Sequence, residues 1–257
     1  MARNFNTGGA DYLSNTDTTA AVTAYPATLA CWFNSNNITG GYDLINVCPS
    51  ASDVGYFRLI ISGNIAGDPV RGLTNGSGGT HVAATSTAYS ANTWHHACSL
   101  HISSTSTKVY LDGGSEGTDT APTVTMPGGI NRTNIARLNR SSPAGDFDGE
   151  LAEAAIWDVE LTLNEIGMLA AGISPAHVRP GSLKWYVPIL GVSDPEPDFS
   201  GDGRSPDVFG SLPVANHPPV APMFGFDHTD TRVGVAAAPG LAFQPHFNRR
   251  TPTYLRM

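Results

Sequence analysis

The sequence predicts an all-β fold, and three observations support that prediction. Short apolar runs alternate with clusters of Gly, Asn, Asp and Ser about every ten residues over positions 5–149, which is the spacing of a β-sandwich or barrel. The 257 residues include 28 glycines and 19 prolines, as expected of a chain rich in turns. Only 14% of the residues are charged, against about a quarter in a typical soluble protein. Ser, Thr, Asn and Gly must therefore form much of the surface.

The apolar runs predict seven strands, at positions 29–33, 43–47, 56–61, 81–84, 94–102, 108–111 and 151–157. Segment 94–102 alternates with period two, so Trp94 and His96 share one face and His95 lies on the other. We expect the first face in the core and the second partly in contact with water. Asp112 and Gly113 follow the sixth segment as a tight-turn signal, which predicts a hairpin.

One segment predicts a helix. Thr162 and Glu165 have the spacing of a capping box, in which each residue satisfies a backbone N–H of the first turn. Ile166 and Leu169 then form an apolar stripe, and Gly172 ends the segment. The expected fold is a β-protein with one short helix.

After residue 191 the sequence becomes rich in proline and in acidic residues, notably at 194–198 and 216–222. Proline cannot donate a hydrogen bond within a sheet, which excludes this segment from central strands. We expect it to wrap over a surface or to extend as an arm. The predicted organisation is a domain at 1–190 followed by a Pro-rich C-terminal arm at 191–257.

Charge and cysteine content exclude several classes of protein. The formal net charge of -8 argues against nucleic-acid binding, which depends on Lys and Arg. No apolar run reaches the ~18 residues of a membrane span, and the first residues lack the apolar core of a secretory signal. We therefore expect synthesis and folding in a cytosol, with Cys31, Cys48 and Cys98 as buried, reduced thiols.

Several stretches, in this order along the chain, carry a family resemblance: 5–13, 28–33, 94–98, 108–113 and 145–157. They resemble the concanavalin A-like, laminin G-like jelly-roll family over about residues 5–171. The resemblance implies two packed antiparallel sheets with the helix after the last strand motif. Its members include carbohydrate-binding modules, adhesion domains, glycanases and bacteriophage virion proteins, so the fold alone does not assign a function. Stretches 183–190, 195–203 and 217–219 are similar to the tails of phage-encoded members.

A glycanase of this family would place carboxylates at alternate positions of one strand, so that an acid and a nucleophile flank the sugar bond. This sequence departs from that pattern. Glu153 and Asp158 are five residues apart and point to opposite faces of a continuous strand, whereas Asp158 and Glu160 share a face at the strand's exit. We expect exposed or loop carboxylates here and no catalytic residues.

Other motifs predict turns rather than active sites. The Gly-x-Ser-x-Gly pattern at 113–117 lies on the predicted hairpin and not on the strand-to-helix elbow of a serine hydrolase. Positions 198–203 copy the first half of a calcium loop, but Phe209 stands where its bidentate Glu belongs. Asp146 and Asp148 are a second candidate for structural calcium, at the rim of the domain. No cofactor is expected otherwise.

No histidine or tyrosine of the sequence can be assigned to a metal or sugar site. His95 and His96 are adjacent and face opposite ways in a strand, and His101 is six residues from His95, too far to share a metal with it. Aromatic rings bind sugars by stacking, but we expect core packing or ordinary surface positions for four tyrosines: Tyr42, Tyr56, Tyr89 and Tyr110.

The leading functional prediction is a non-enzymatic phage virion structural protein, displayed on the particle as a capsid decoration or fibre-type subunit and assembled in the host cytoplasm. The missing export signal, the missing catalytic constellation and the Pro-rich arm motivate it. Its expected partners are itself, as a homo-oligomer such as a trimer, and other virion or capsid proteins, with weak binding of host surface glycans as a compatible property. Two alternatives stay open, a bacterial carbohydrate-binding module or adhesin, and a glycanase.

Overall fold

The computed structural model describes residues 1–8, 11–15 and 20–221. In chain order, its strands are β1 Ala2–Phe5, β2 Tyr12–Asn15, β3 Ala27–Ser35, β4 Gly41–Cys48, β5 Tyr56–Ser62, β6 Pro69–Gly76, β7 Gly79–Ala88, β8 His95–Ser103, β9 Ser106–Leu111, β10 Gly114–Asp119, β11 Arg132–Ile135, β12 Gly149–Trp157, β13 Leu183–Val187, β14 Asp207–Phe209 and β15 Val214–Ala215. The α-helix α1 spans Leu163–Ala170, and short 3-10 turns occupy Pro175–His177 and Pro180–Ser182.

The strands form two antiparallel sheets. The first sheet has the order β10-β9-β8-β3-β12-β1-β15, and β13 also pairs with β12. The second sheet has the order β14-β2-β11-β4-β5-β6-β7. Neighbours in the sheets come from distant parts of the chain, as in a jelly roll, so the predicted all-β sandwich is confirmed.

The main core lies between the two sheets. Its largest side chains, all fully buried, include Trp185, Phe5, Phe33, Phe57 and Phe147. A second apolar cluster lies outside the first sheet, where α1 buries Ile166 and Leu169 against Trp157 and Tyr186. Burying large aromatic side chains contributes a few kcal/mol each, about 25 cal/mol per Å² of apolar area.

The second cluster corrects one prediction. Segment 94–102 was expected to have one partly wet face, but both faces of β8 are buried. Ala97 packs into the main core and His101 is fully buried on the same face, while Cys98 and Leu100 lie in the cluster beneath α1. The helix and its following turns supply the cover, which the strand's own alternation cannot reveal.

The predicted local elements are otherwise confirmed. All seven predicted segments match strands, with Trp94 just before the start of β8, and the turn at Asp112 and Gly113 joins β9 to β10. The helix has the predicted capping box, with Thr162 as N-cap and the Glu165 carboxylate accepting from the Thr162 N–H at 2.7 Å. The cysteines are free and buried.

The described part of the predicted arm, 191–221, lies against the sandwich. β14 adds an edge strand to the second sheet and β15 adds one to the first, as expected of a Pro-rich segment. The carboxylate of Glu196, fully buried, accepts a hydrogen bond from Arg3 Nε at 2.5 Å. Residues 222–257 of the predicted arm lie outside the described residues.

Candidate functional site

The outward side of the second sheet carries five arginines, and we call it the arginine face. Arg58 in β5, Arg71 in β6 and Arg132 in β11 come from strands, and Arg137 and Arg140 come from the loop between β11 and β12. The strand arginines alternate with core residues, so period two turns all of them outward. Strand register then brings them together: Arg58 pairs with Leu73, and Arg71 with Ile60.

The loop at 136–148 folds back over part of this face. Leu138 and Ala144 exchange backbone hydrogen bonds at 2.9 and 3.1 Å. Leu138 is fully buried in an apolar patch on the outward side of the sheet. The patch consists of Cys48, Tyr56, Ile60, Leu73 and Leu138, with Val82 at its margin.

A chain of buried polar groups runs beneath the loop. Asp43 accepts hydrogen bonds from Arg58 Nε at 2.8 Å and from Asn46 Nδ2 at 3.2 Å. Asn134 Nδ2 donates to Asn46 Oδ1 at 2.8 Å, and Ser14 Oγ donates to Asn134 Oδ1 at 2.7 Å. Burial acts against the charge of Arg58, but the adjacent Asp43 carboxylate raises the pKa of the guanidinium, which stays charged. These bonds fix donors and acceptors across four strands.

Aromatic rings border the arginines. Tyr12 and Phe209 stack with centroids 4.5 Å apart and planes within 7°, and the Arg137 guanidinium lies 5.2 Å from the Tyr12 centroid. Arg58 and Arg140 both contact the Tyr56 ring, at 5.3 and 5.6 Å from its centroid. Each geometry is that of a cation–π contact, which holds the guanidinium in place.

Three of the five arginines have a carboxylate partner. Arg58 pairs with Asp43, Arg137 with Asp146 at 3.2 Å, and Arg140 with Asp53 at 3.3 Å. Within 1–8, 11–15 and 20–221, neither Arg71 nor Arg132 forms an ion pair. Arg132 donates to the carbonyl of Asn139 at 3.0 Å.

The carboxylates weighed for glycanase chemistry lie on the first sheet and are not brought together. Glu153 occupies a β-bulge with φ 55° and is 6% exposed; it accepts from Tyr186 Oη at 2.6 Å and lies 3.0 Å from His217 Nε2. Asp158, half exposed, pairs with Lys184 at 3.1 Å. Five residues of strand separate the two carboxylates by roughly 15 Å. A glycosidase acid pair is no more than about 9.5 Å apart. Glu160 is exposed beyond the strand's end.

The two candidate calcium positions have protein partners in the structure. Asp148 accepts from the side-chain amides of Asn36 and Asn37, both at 2.8 Å, while Asp146 faces Arg137. Asp198 caps its own turn by accepting from the backbone of Ser200 at 2.9 Å and of Arg204 at 2.9 Å. No group of three or more potential metal ligands occurs among the described residues.

The remaining candidate residues, a serine, two histidines and four tyrosines, make contacts of a structural kind. Ser115 of the Gly-x-Ser-x-Gly pattern is in the β9–β10 turn region, with φ 48°, and accepts from the Thr87 backbone. His95 bonds Asp112 at 2.8 Å, while His96 is buried on the opposite face of β8. Of the four tyrosines, Tyr42, Tyr89 and Tyr110 pack into apolar clusters, and Tyr56 alone lies on the arginine face.

Sequence reasoning missed the arginine face. Its residues are separated along the chain, and none belongs to a spaced motif. The available signal was the alternation of Arg58 with Phe57 and Leu59, and of Arg71 with Val70 and Gly72, which predicts outward arginines on two consecutive strands.

Across the described residues no helix is long and apolar enough to span a membrane. A comparison with curated proteins finds no match.

Solved structures show what this fold is similar to. A candidate carbohydrate-binding protein of Bacteroides ovatus superposes with a TM-score of 0.60 at 18% identity, covering 86% of this chain and 61% of its own. A heptameric SAP-like pentraxin of Limulus polyphemus gives 0.55 at 14% identity, covering 82% and 94%. Tailspike protein 2 of an Escherichia coli O157:H7 bacteriophage gives 0.55 at 11% identity, covering 72% and 26%.

At these identities the likeness concerns the fold alone, and this chain spans less than two thirds of the Bacteroides protein and of the tailspike. The family profile described as the concanavalin A-like lectin/glucanases superfamily, Laminin_G_3, matches residues 7–167. That range exceeds half of the 257 residues, and it contains the strands that form most of both sheets. The chain therefore belongs to the concanavalin A-like lectin/glucanase superfamily.

Proposed function

We propose that this chain is a non-enzymatic saccharide-binding structural protein and that the arginine face binds the saccharide. One observation carries the proposal: aromatic rings and the guanidinium groups held against them lie side by side on the outward surface of one sheet. A sugar ring presents an apolar C–H face and polar hydroxyl edges. Apolar and aromatic side chains pack against the first, and positioned N–H groups bind the second.

The carboxylates of the arginine face support a binding role over hydrolysis. Asp43, Asp53 and Asp146 each pair with an arginine, and each would have to leave that partner to donate a proton to a substrate. The Glu153 and Asp158 pair on the other sheet is too widely separated for hydrolysis.

We place the protein on the surface of a bacteriophage particle, as a capsid decoration or fibre-type subunit. The fold is shared with a phage tailspike and with a heptameric pentraxin, so it is compatible with both a virion location and a symmetric homo-oligomer. The alternative is a bacterial carbohydrate-binding module or adhesin, which the likeness to the Bacteroides protein favours.

Saccharide binding is tested with the full chain on a glycan array, followed by titration of the best ligand. Ala84 is exposed on the edge strand β7 beside Arg71, so Ala84→Trp places an indole next to Arg71 at one edge of the arginine face. We expect this variant to bind at least tenfold more weakly. Ala171→Trp, at the exposed end of α1, is the matched control and should bind as the wild type does. Equal binding by both variants would place the saccharide elsewhere, and no binding by the wild type would contradict the proposed function.

Virion placement is tested separately, by mass spectrometry of gradient-purified particles and by light scattering of the isolated chain. We expect the chain in stoichiometric amounts in particles and as a closed oligomer in solution. Absence from particles, with glycan binding intact, would favour the bacterial module.

A further inference from the structure

Arg71 has no partner for its charge among the described residues. Its cross-strand neighbours are Ile60 on β5 and Ala84 on β7, and Leu73 follows it on the same face of β6. These aliphatic side chains offer no acceptor. The side chain is partly buried and forms neither a hydrogen bond nor an ion pair with any described residue.

The charge that acts on the pKa of Arg71 is of the same sign. Arg58 is its diagonal neighbour across β5 and β6, and the Asp43 carboxylate that neutralises Arg58 binds that guanidinium at two points. Burial, followed by repulsion from Arg58, lowers the pKa of Arg71 below its usual value. The opposite charge of an anion bound to Arg71 would offset both causes.

The arginine face as a whole carries more positive than negative charge. Its five arginines meet three carboxylates, those of Asp43, Asp53 and Asp146. Asp207 lies on β14, five strands from β6 and so roughly 24 Å away. The chain as a whole has a net charge of -8, so the arginine face is a positive surface on an acidic protein.

We propose that the saccharide bound on the arginine face carries an anionic group, a carboxylate or a sulfate ester, and that Arg71 binds this group. This inference rests on the proposed function and adds the class of ligand. The planar guanidinium matches either anion with two parallel N–H donors.

A nucleic acid fits this surface less well than an acidic sugar. A phosphate backbone needs several cations in series, whereas Arg71 and Arg132 are the two arginines of the face without an ion pair among the described residues, and they lie three strands, or roughly 14 Å, apart. The acidic remainder of the protein would repel a long polyanion. One or two isolated anions on a sugar chain suit the spacing.

The experiment compares matched ligands with the full chain by titration calorimetry. The probes are oligogalacturonides with their methyl esters, sialylated oligosaccharides with their carboxyl-reduced forms, and chondroitin sulfate fragments with desulfated ones. We expect wild-type protein to bind at least one acidic probe tenfold or more tightly than its neutral counterpart, with an affinity that falls as salt rises.

Arg71→Gln should lose at least tenfold in affinity for that acidic probe and should unfold near the temperature of the wild type, because it breaks no hydrogen bond or ion pair among the described residues. Arg71→Lys should keep part of the affinity. Arg179→Gln, which removes an equal charge beside α1, is the control and should bind within twofold of the wild type.

The outcomes separate this inference from the function on which it rests. Binding of neutral saccharides alone, blocked by Ala84→Trp and unchanged by Arg71→Gln, would overturn the anionic ligand and leave saccharide binding intact. Acidic binding that Arg71→Gln does not change would overturn the role of Arg71. No binding of any probe or array saccharide would overturn both.

Discussion

Asp43 is fully buried, and the contact with Arg58 compensates its charge. Removing one partner of a buried pair leaves the other charge without compensation, which costs about 3 kcal/mol. We therefore expect Arg58→Met to lower the free energy of unfolding by about that amount. Urea denaturation followed by tryptophan fluorescence measures the loss.

Arg140→Met is the matched control. The Arg140–Asp53 pair lies at the surface, with side chains 22% and 44% exposed, and such pairs contribute less than about 1 kcal/mol. Equal losses for the two variants would show that Asp43 is not held as a buried ion. The double variant Asp43→Leu/Arg58→Met should be more stable than Arg58→Met alone.

Two buried histidines predict a loss of stability in acid. Burial lowers the pKa of His96 from 6.5 to about 4. Burial, together with the charge of His81, lowers that of His101 from 6.5 to about 3. Between these values and pH 6.5 the unfolded chain takes up protons that the folded chain does not. Stability is therefore constant above pH 6.5 as far as these groups are concerned, and falls below it by up to about 1.4 kcal/mol per pH unit for each histidine.

The measurement is the urea midpoint between pH 7.5 and pH 4.5. His101→Gln keeps hydrogen-bonding groups near Thr74 and Ser99, the partners of the histidine ring, and should flatten the decline. His177→Gln, at an exposed position, should leave the slope as in the wild type. A decline unchanged by His101→Gln would assign the acid sensitivity to other groups.

Elements with a local signal were predictable from the sequence. The capping box at Thr162 and the Asp-Gly turn at Asp112 act within a few residues, so their effect is visible in a short window. β11, with the sequence Arg-Thr-Asn-Ile, is too polar and too short to be found in this way. It is a strand because β4 and β2 pair with it on both sides, and that pairing depends on tertiary structure.

The arginine face was beyond local reasoning for the same physical reason. Arg58 and Arg71 become neighbours only through the β5–β6 register, and Arg132 joins them across β11 and β4. A shift of one residue in either pairing would turn an arginine into the core. Alternation predicts which side chains face outward, but only the register determines which of them meet.

The loop that covers the arginine face depends on Gly145. This residue has φ +75°, and a Cβ there would collide with the Asp43 carboxylate, while its carbonyl accepts from the Asp43 N–H at 2.8 Å. We expect Gly145→Ala to cost about 2 kcal/mol or more of unfolding free energy and to weaken saccharide binding by displacing Arg137 and Arg140.

Gly128→Ala is the control for that substitution. Gly128 has open space around its Cβ position and no positive φ, so the change should be neutral or slightly stabilising through the unfolded state. Thermal unfolding and titration with the best array saccharide measure both effects. Gly145→Ala with wild-type stability would show that the loop can move away from Asp43 at no cost.

Over the whole molecule, the few charged residues are unevenly distributed. Only 14% of residues are charged, yet five of the arginines share one outward surface, and several are partly buried among apolar groups. A guanidinium in such surroundings attracts a nearby opposite charge more strongly than one in bulk water does. A few charges can therefore give the second sheet a binding character that the net charge of -8 conceals.

Hydrogen bonds and ion pairs hold the segment at 191–221 against the sandwich at several points. Glu196 accepts from Arg3 and from the Gly191 N–H at 2.8 Å. Trp185 Nε1 donates to the carbonyl of Arg204 at 2.7 Å, and His217 contacts Glu153. These contacts hold residues 191–221 against the sandwich.

Two truncated chains, ending at residue 190 and at residue 221, test how much these contacts stabilise the fold. The shorter chain loses every partner of the Arg3 guanidinium, namely Glu196, the Leu212 carbonyl and the Ser193 carbonyl, and leaves its charge uncompensated. We expect it to be at least about 3 kcal/mol less stable than the longer chain in urea, and Glu196→Gln in the full chain to reproduce part of that loss. Glu160→Gln, at an exposed site, is the control for the point substitution. Equal urea midpoints for the two truncated chains would instead support an independent domain that ends at residue 190, with the Pro-rich segment as a separate arm.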